Sequence, residues 1–403
     1  MPAAPRRIVL GVTGSIAAYK TPQLVRDLVR SGAEVRVALT RSATAFVTPL
    51  TLATVSRNAV VLDPLPTDAG ASNAGTWHID LAHWADVMLI APASANTIAK
   101  LAHGRADSAV TMLALALPCP LIVAPAMDED MLVNEVTQEN IETLRARGID
   151  IIEPAAGSLA SGLVGEGRLA ELETIVERVN AMLDKRGSLA GVKIVVTAGP
   201  THEPIDPVRF IGNSSSGKMG FAIAADAAMR GAHVTLLAGP TPLRTPPQVQ
   251  RVNVQTADEM LAAVQSAVKT CDVLIMAAAV ADYAPVKESR SKLKKTGAGL
   301  TLALRSTPDI LKTLAASKGK RIHVGFALET DNGLAHAATK LKEKKLDMIV
   351  LNAATGVDVA IGGDDNTITI IDKTGTPTQL PRMSKRRCAA AIMDRVAVLV
   401  KQK

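Results

Sequence analysis

Aromatic side chains are nearly missing from this sequence: two Trp, two Tyr and four Phe, 2% of 403 residues. A protein that stacks bases needs such rings in numbers. The formal charge of +7 therefore points away from nucleic acid and toward phosphorylated small molecules. Cysteine is scarce too. Cys119, Cys271 and Cys388 stand far apart, a spacing that argues against a disulfide framework or a cysteine zinc site and suits the reducing cytoplasm. No apolar run approaches the ~18 residues of a bilayer span. The opening MPAAPRRIVLGV passes directly into a strand with no signal-peptide core, so neither a membrane nor secretion is expected.

What is present is α/β punctuation. At 403 residues the chain accommodates two domains of ordinary size. The most informative stretch runs from Lys193 to Pro240. The β-branched run Ile194-Val195-Val196 predicts a buried strand, Met219–Arg230 has helical periodicity, Gly231 stops the helix, and Val234–Leu237 predicts a second strand. That is a βαβ unit, and ligands of a doubly wound sheet bind at the loop after its first strand. The loop is long. Its polar core, Asn213-Ser214-Ser215-Ser216-Gly217-Lys218, offers hydroxyls, an amide and a helix N-terminus to a phosphate or carboxylate.

TAGPTHEPIDPVRFIGNSSSGKMG resembles the ligase half of the bifunctional phosphopantothenoylcysteine decarboxylase / phosphopantothenate–cysteine ligase family of coenzyme A biosynthesis. The resemblance implies two doubly wound, Rossmann-like α/β domains. Residues 1–188 would be a flavodoxin-like domain of the flavin-containing cysteine decarboxylase type, and 189–403 the ligase domain.

The N-terminal half, taken on its own residues, opens with strand Ile8–Leu10, the turn GVTGSIAA, a helical pattern from Tyr19 to Arg30 and strand Val35–Leu39. GVTGSIAA lacks the third glycine of a dinucleotide fingerprint, and Thr40-Arg41-Ser42 follows the second strand where a ribose would need an acid. A mononucleotide such as FMN fits better than NAD, and a glycine turn needed only for packing is the plain alternative. Strands Val87–Ile90 and Leu121–Ala124 lead into two further polar loops. The family resemblance puts Gly14, Ser15, Thr40, Ser42, Ser94, Asn96, Thr97 and Met127 around FMN, with Asp128 on the decarboxylase substrate. His78, just before a helix, could be a histidine making a local hydrogen bond; the surrounding residues match the family's catalytic histidine motif. A Gly/Ala/Ser-rich flap between Asp150 and Leu172 holds Ser161 where the best-known family members carry a proton-donating cysteine. Cys119 is considered as a substitute donor.

In the C-terminal half, AAVADY with the basic run Lys287–Lys295 reads by itself as a strand end and a solvated loop. Lys340 and Lys344, four apart in a helical stretch, share a face. By resemblance Asp282, Lys292, Pro308, Asp309, Ile310, Leu311, Phe326, Lys340 and Lys344 line a CTP site, and Asn213 holds an acyl-cytidylate. The implied activity is CTP-dependent ligation of cysteine to 4′-phosphopantothenate with Mg²⁺, followed by FMN-dependent decarboxylation to 4′-phosphopantetheine. The implied homo-oligomer joins trimers of flavin domains through dimers of ligase domains into a dodecamer. Competing readings are a ligase whose flavin domain fails to decarboxylate or stops at an ene-thiol, a regulatory flavoprotein subunit, and a nicotinamide dehydrogenase.

Overall fold

The computed structural model describes residues 6–62, 76–295, 300–329, 333–353, 363–373 and 375–403. The chain divides into two compact units, Met1–Arg186 and Gly187–Lys403.

The first unit is a five-stranded parallel sheet in the order β2-β1-β3-β4-β5. The strands are β1 (Arg6–Val12), β2 (Ala33–Leu39), β3 (Val87–Ala93), β4 (Leu121–Pro125) and β5 (Asp150–Ile151). This 2-1-3-4-5 order is that of flavodoxin-like folds, which place their ligand at the β1/β3 switch point. The helices are α1 (Thr21–Arg30), α2 (Pro49–Ser56), α3 (Trp77–Trp84), α4 (Ala95–Ala102), α5 (Ala109–Ala116), the short α6 (Glu129–Val133), α7 (Glu135–Ala146) and α8 (Leu172–Arg186). Successive strand residues face opposite sides, and both sides are covered. Ile8, Leu10 and Val12 enter one core with Leu24 and Val179, while Val9 enters another with Ile98 and Leu113. Burial on both faces is why the strands read as unbroken apolar runs. The Gly/Ala/Ser-rich segment is an antiparallel hairpin, β6 (Ala155–Ser158) and β7 (Val164–Arg168). Helical structure begins earlier than the periodicity predicts, with a tight turn over Ile16–Lys20 capped by Ser15.

The second unit has an eight-stranded sheet. Its strands are β8 (Lys193–Ala198), β11 (His233–Ala238), β12 (Val249–Asn253), β13 (Val273–Met276), β16 (Ile322–Glu329), β17 (Met348–Ala353), β19 (Ile368–Asp372) and β20 (Thr378–Gln379), in the order β12-β11-β8-β13-β16-β17-β19-β20. The first six are parallel and form the 3-2-1-4-5-6 arrangement of a dinucleotide-binding fold; β19 and β20 add antiparallel. One face packs on α9 (Lys218–Met229) and α13 (Lys385–Lys401), and the other on α10 (Ala257–Ala267), α11 (Ile310–Ala315) and α12 (Gly333–Glu343). Three short ribbons stand outside the sheet: β9 (His202–Pro204) with β10 (Phe210–Gly212), β14 (Tyr283–Pro285) with β15 (Leu304–Ser306), and β18 (Asp365–Asn366) with β21 (Met383–Ser384). The apolar run from Val324 predicts a strand ending at Thr330, and Thr330 lies outside the described residues.

Candidate functional site

In the first unit the carboxyl ends of the strands are hydrogen-bonded into one rim. Thr40 N donates to Val12 O at 3.0 Å, joining β2 to β1. Thr13 Oγ1 donates to Pro92 O at 2.8 Å and accepts from Ser94 N at 2.9 Å, joining β1 to β3. Ala126 N donates to Ala93 O at 3.0 Å, joining β3 to β4. Gly14, Ser15, Thr40, Ser42, Ser94 and Met127 all lie on this rim. The Thr40 and Ser42 hydroxyls are 3.2 Å apart. A Cβ added at Gly14 would stand 2.4 Å from Ser42 Oγ, so only glycine lets these two loops close on each other. Ser94 caps α4 and its Oγ lies 3.2 Å from Thr97 Oγ1; Thr97 is buried and Asn96 exposed. Backbone turns, hydroxyls and a helix start facing one edge make a cradle suited to the phosphate of a mononucleotide, so the residues present fit FMN.

His78 sits in the first turn of α3 rather than before it. Its ring meets Trp77 edge-on at 5.6 Å, and Nδ1 is cut off from solvent with no hydrogen-bond partner among the described residues. Such an orphan costs about 1–3 kcal/mol. Asp128 caps α6. The β6–β7 hairpin is seated on the same loop, through Met127 N to Gly167 O at 3.0 Å and Glu166 N to Glu129 Oε1 at 3.3 Å. Ser161 is exposed at its tip, with Oγ accepting from Leu163 N at 3.4 Å.

Cys119 does not fit the role of substitute donor. It precedes β4 and so lies at the amino edge of the sheet, a strand length from the Met127 loop. Burial pushes its thiol up to about 11, against the opposing effect of Arg186.

In the second unit Asn213 Nδ2 donates to Ala279 O at 3.3 Å and Val280 O at 3.1 Å, at the end of β13. Thr307 N donates to Asp282 O at 2.9 Å, which brings the start of α11 to the same edge. Gly217, at φ +77°, turns the polar loop into α9 and packs against Gly199. The Lys287–Lys295 run is tied to the β9–β10 hairpin: Ser289 N donates to Ile205 O at 2.9 Å, and Leu293 N to Asp206 Oδ2 at 3.1 Å. That hairpin leads directly into Asn213. Asn213 and Lys292 are thus carried by one ribbon system. Burial would raise the Asp206 carboxyl, but donors from Val208, Arg209 and Leu293 hold it well below the usual range.

Asp309 caps α11, accepting from Lys312 N at 3.0 Å, and pairs with Lys344 at 2.9 Å. Its burial acts upward, and Lys344 together with the Lys312 N–H and charge leaves the carboxyl low. Lys344 N donates to Lys340 O, so the two lysines keep a common face although Lys344 lies one residue past α12. The side chains of Ile310 and Leu311 turn into the core, as their apolar chemistry dictates. Phe326 packs against the core on the α9/α13 face, opposite to α12. The candidate CTP residues therefore flank the strand edge from both faces instead of lining one wall. Pro308 is half-buried beside Asp309, and Lys292 is exposed. A cavity of about 420 Å³ opens at the carboxyl ends of β11 and β12, lined by Gly239, Thr241, Arg251, Asn253 and Gln255. A second of about 460 Å³ lies at the amino ends of β8 and β11, away from every candidate residue.

Residues 2–184 match the family described as Flavoprotein, and residues 189–399 match the DNA/pantothenate metabolism flavoprotein C-terminal domain. The coenzyme A biosynthesis bifunctional protein CoaBC of Escherichia coli is 44% identical over 410 residues, spanning 100% of this chain and 99% of that protein. The chain belongs to the bifunctional CoaBC family. The Bacillus subtilis CoaBC is 43% identical over 400 residues, 98% of each chain. A cysteine/cysteine sulfinic acid decarboxylase from an unknown prokaryotic organism is 45% identical over 361 residues, 88% of this chain and 100% of its own length. Among solved structures, the C-terminal domain of a CoaBC is 40% identical and covers 54% of this chain and 100% of its own, with a TM-score of 0.47. The FMN binding protein AtHal3 is 34% identical and covers 44% and 96%, with a TM-score of 0.39.

Within this CoaBC-family chain, sequence reasoning passed over Thr13, the tie between β1 and β3, and the Asp206/Arg209 pair. The signal for the pair was present. Opposite charges three residues apart, bracketing Pro207-Val208 between two predicted elements, describe a turn closed by an ion pair.

Proposed function

We propose that this chain carries out two consecutive steps of coenzyme A biosynthesis: ligation of cysteine to 4′-phosphopantothenate in the second unit, and flavin-dependent decarboxylation of the product in the first. The end-to-end match to bifunctional relatives carries this reading.

A carboxylate is a poor electrophile, so it must first be activated. In the ligase reaction it attacks the α-phosphate of CTP, pyrophosphate leaves, and the cysteine amine then displaces CMP from the acyl-cytidylate. Charge grows on the phosphate oxygens and must meet preorganised cations. We assign that task to Lys292, on its tethered arm, and to Lys340 and Lys344. Asn213 has both amide hydrogens committed to Ala279 and Val280, which leaves Oδ1 to accept from the incoming amine or the pantothenoyl amide. Asp282, Pro308 and Asp309, with the backbone of Ile310 and Leu311, would border the nucleotide, and Phe326 would meet it from the other face. No cluster of three His, Cys, Asp or Glu side chains exists among the described residues. Mg²⁺ would be held by the phosphates of CTP.

For the decarboxylase, Gly14, Ser15, Thr40, Ser42, Ser94, Asn96, Thr97 and Met127 would hold FMN. When bound, FMN supplies the two-electron oxidation at sulfur that gives the departing CO₂ an electron sink. His78 would exchange a proton with the substrate through its imidazole ring, and Asp128 would contact the substrate from the rim. The Ser161 hydroxyl is a far weaker acid than a thiol, whose pKa is about 8.5, so the proton for the last reduction would come from another group. The three free cysteines support a cytoplasmic setting.

Incubating the protein with 4′-phosphopantothenate, cysteine and CTP and weighing the products tests both halves. 4′-Phosphopantetheine as end product is the expected result. 4′-Phosphopantothenoylcysteine alone removes the decarboxylase assignment, and an ene-thiol shows that no group supplies the proton for the last reduction. Decarboxylation of free cysteine in preference to the ligated product would transfer the first unit to the other activity found among its relatives.

A further inference from the structure

The basic arm that presents Lys292 is held by a buried carboxylate that touches no candidate ligand. Asp206 is 2% exposed. Its Oδ1 accepts from Val208 N at 2.9 Å and Arg209 N at 2.8 Å. Its Oδ2 accepts from Arg209 Nε at 3.0 Å, Arg209 Nη2 at 2.6 Å and Leu293 N at 3.1 Å. Arg209 Nη2 also donates to Leu293 O at 2.6 Å, so the Leu293 peptide is gripped at both its N–H and its C=O. Ser289 N donates to Ile205 O on the same hairpin, and Val286 N to Ala303 O at the root of the arm. Five donors on one carboxylate exceed what a turn needs to close. The Leu293 contact spans 87 residues of sequence and serves only the arm.

We infer that Asp206 is a positioning residue of the ligase, fixing the Lys292 arm in the geometry that meets the phosphates; this rests on the assignment of Lys292 above. An Asp to Asn change keeps the shape but replaces one acceptor oxygen by a donor. That donor faces either the Val208 and Arg209 amides or the Arg209 guanidinium and the Leu293 amide. The arm is then released while the two cores, which Asp206 does not enter, remain.

The experiment uses the full chain. Asp206→Asn is expected to slow cysteine-dependent pyrophosphate release from CTP by roughly tenfold to a hundredfold, the range for a misplaced catalytic group. Decarboxylation of supplied 4′-phosphopantothenoylcysteine should keep its rate. Hydrogen exchange should rise across residues 287–295 and stay unchanged in β8, β13 and α9. Ser289→Pro, which removes the second tether, should reproduce the exchange pattern in weaker form and serves if Asp206→Asn fails to fold. With Lys292→Gln as background, adding Asp206→Asn should cost no further rate, because a group acting through Lys292 has nothing left to position. Unchanged exchange over 287–295, unchanged ligation, or exchange rising throughout the second unit overturns the inference. Full ligase activity in Lys292→Gln would instead overturn the assignment of Lys292, and is distinguishable because the exchange pattern of Asp206→Asn is read without turnover.

Discussion

Single atoms decide most of the chemistry here. Gly14 faces Ser42 Oγ so closely that a methyl group would have to sit 2.4 Å from it. Gly14→Ala should therefore yield colourless protein that releases pyrophosphate normally; flavin absorbance of the purified variant checks it. His323 shows the same dependence in the core. It is 1% exposed on β16, and among the described residues both ring nitrogens are unpaired. Burial, with Lys318 adding to it and Asp347 opposing, pushes its pKa from 6.5 to about 4. In the unfolded chain the imidazole takes up its proton below about 6.5, whereas the native protein resists until about 4. The stability contributed by a neutral His323 is thus complete above that window and lost as pH falls through it, on the order of 3 kcal/mol. Unfolding titrations at pH 7 and pH 4 should show His323→Leu gaining that amount relative to the parent; a pH-independent difference would show that the ring is not held neutral.

At the level of elements, two short ribbons do what the large sheets cannot. The helix α9 starts from Gly217 at φ +77°, a conformation that costs an L-residue about 1–2 kcal/mol, and an added Cβ would press on Gly199 Cα at 3.2 Å. Gly217→Ala should lower the unfolding free energy of the second unit by that order, read by denaturant titration, and raise KM for CTP. The β6–β7 hairpin carries Ser161 at its tip and is anchored to the Met127–Glu129 loop. Restoring a thiol with Ser161→Cys should accelerate formation of 4′-phosphopantetheine severalfold and leave pyrophosphate release untouched, as read by product mass over time.

For the whole molecule, two sheets of different strand order, 2-1-3-4-5 and 3-2-1-4-5-6 with two added strands, give each activity its own core. Loss of one need not disturb the other. His78→Asn should abolish decarboxylation of supplied 4′-phosphopantothenoylcysteine while ligation continues, and Lys292→Gln should slow ligation strongly, to a measurable residual rate, while decarboxylation continues. Parallel assays on the two variants check this, and a joint loss in either would contradict separate sites.

The sequence by itself determined the elements and their class. Apolar runs such as Ile194-Val195-Val196 become two-faced buried strands wherever helices flank both sides, and polar loops after such strands fall at the carboxyl edge because every strand of a parallel sheet runs the same way. It also marked the rim residues of the first unit, since Gly, Ser and Thr at strand ends are local signals. Tertiary structure alone decided which distant residues meet. Nothing local shows that Asp206 would grip the Leu293 peptide, that Asp309 would pair with Lys344, or that Phe326 and Lys344 would take opposite faces of one sheet. Those contacts depend on strand order and register, set by the packing of whole faces and not by any short stretch of chain.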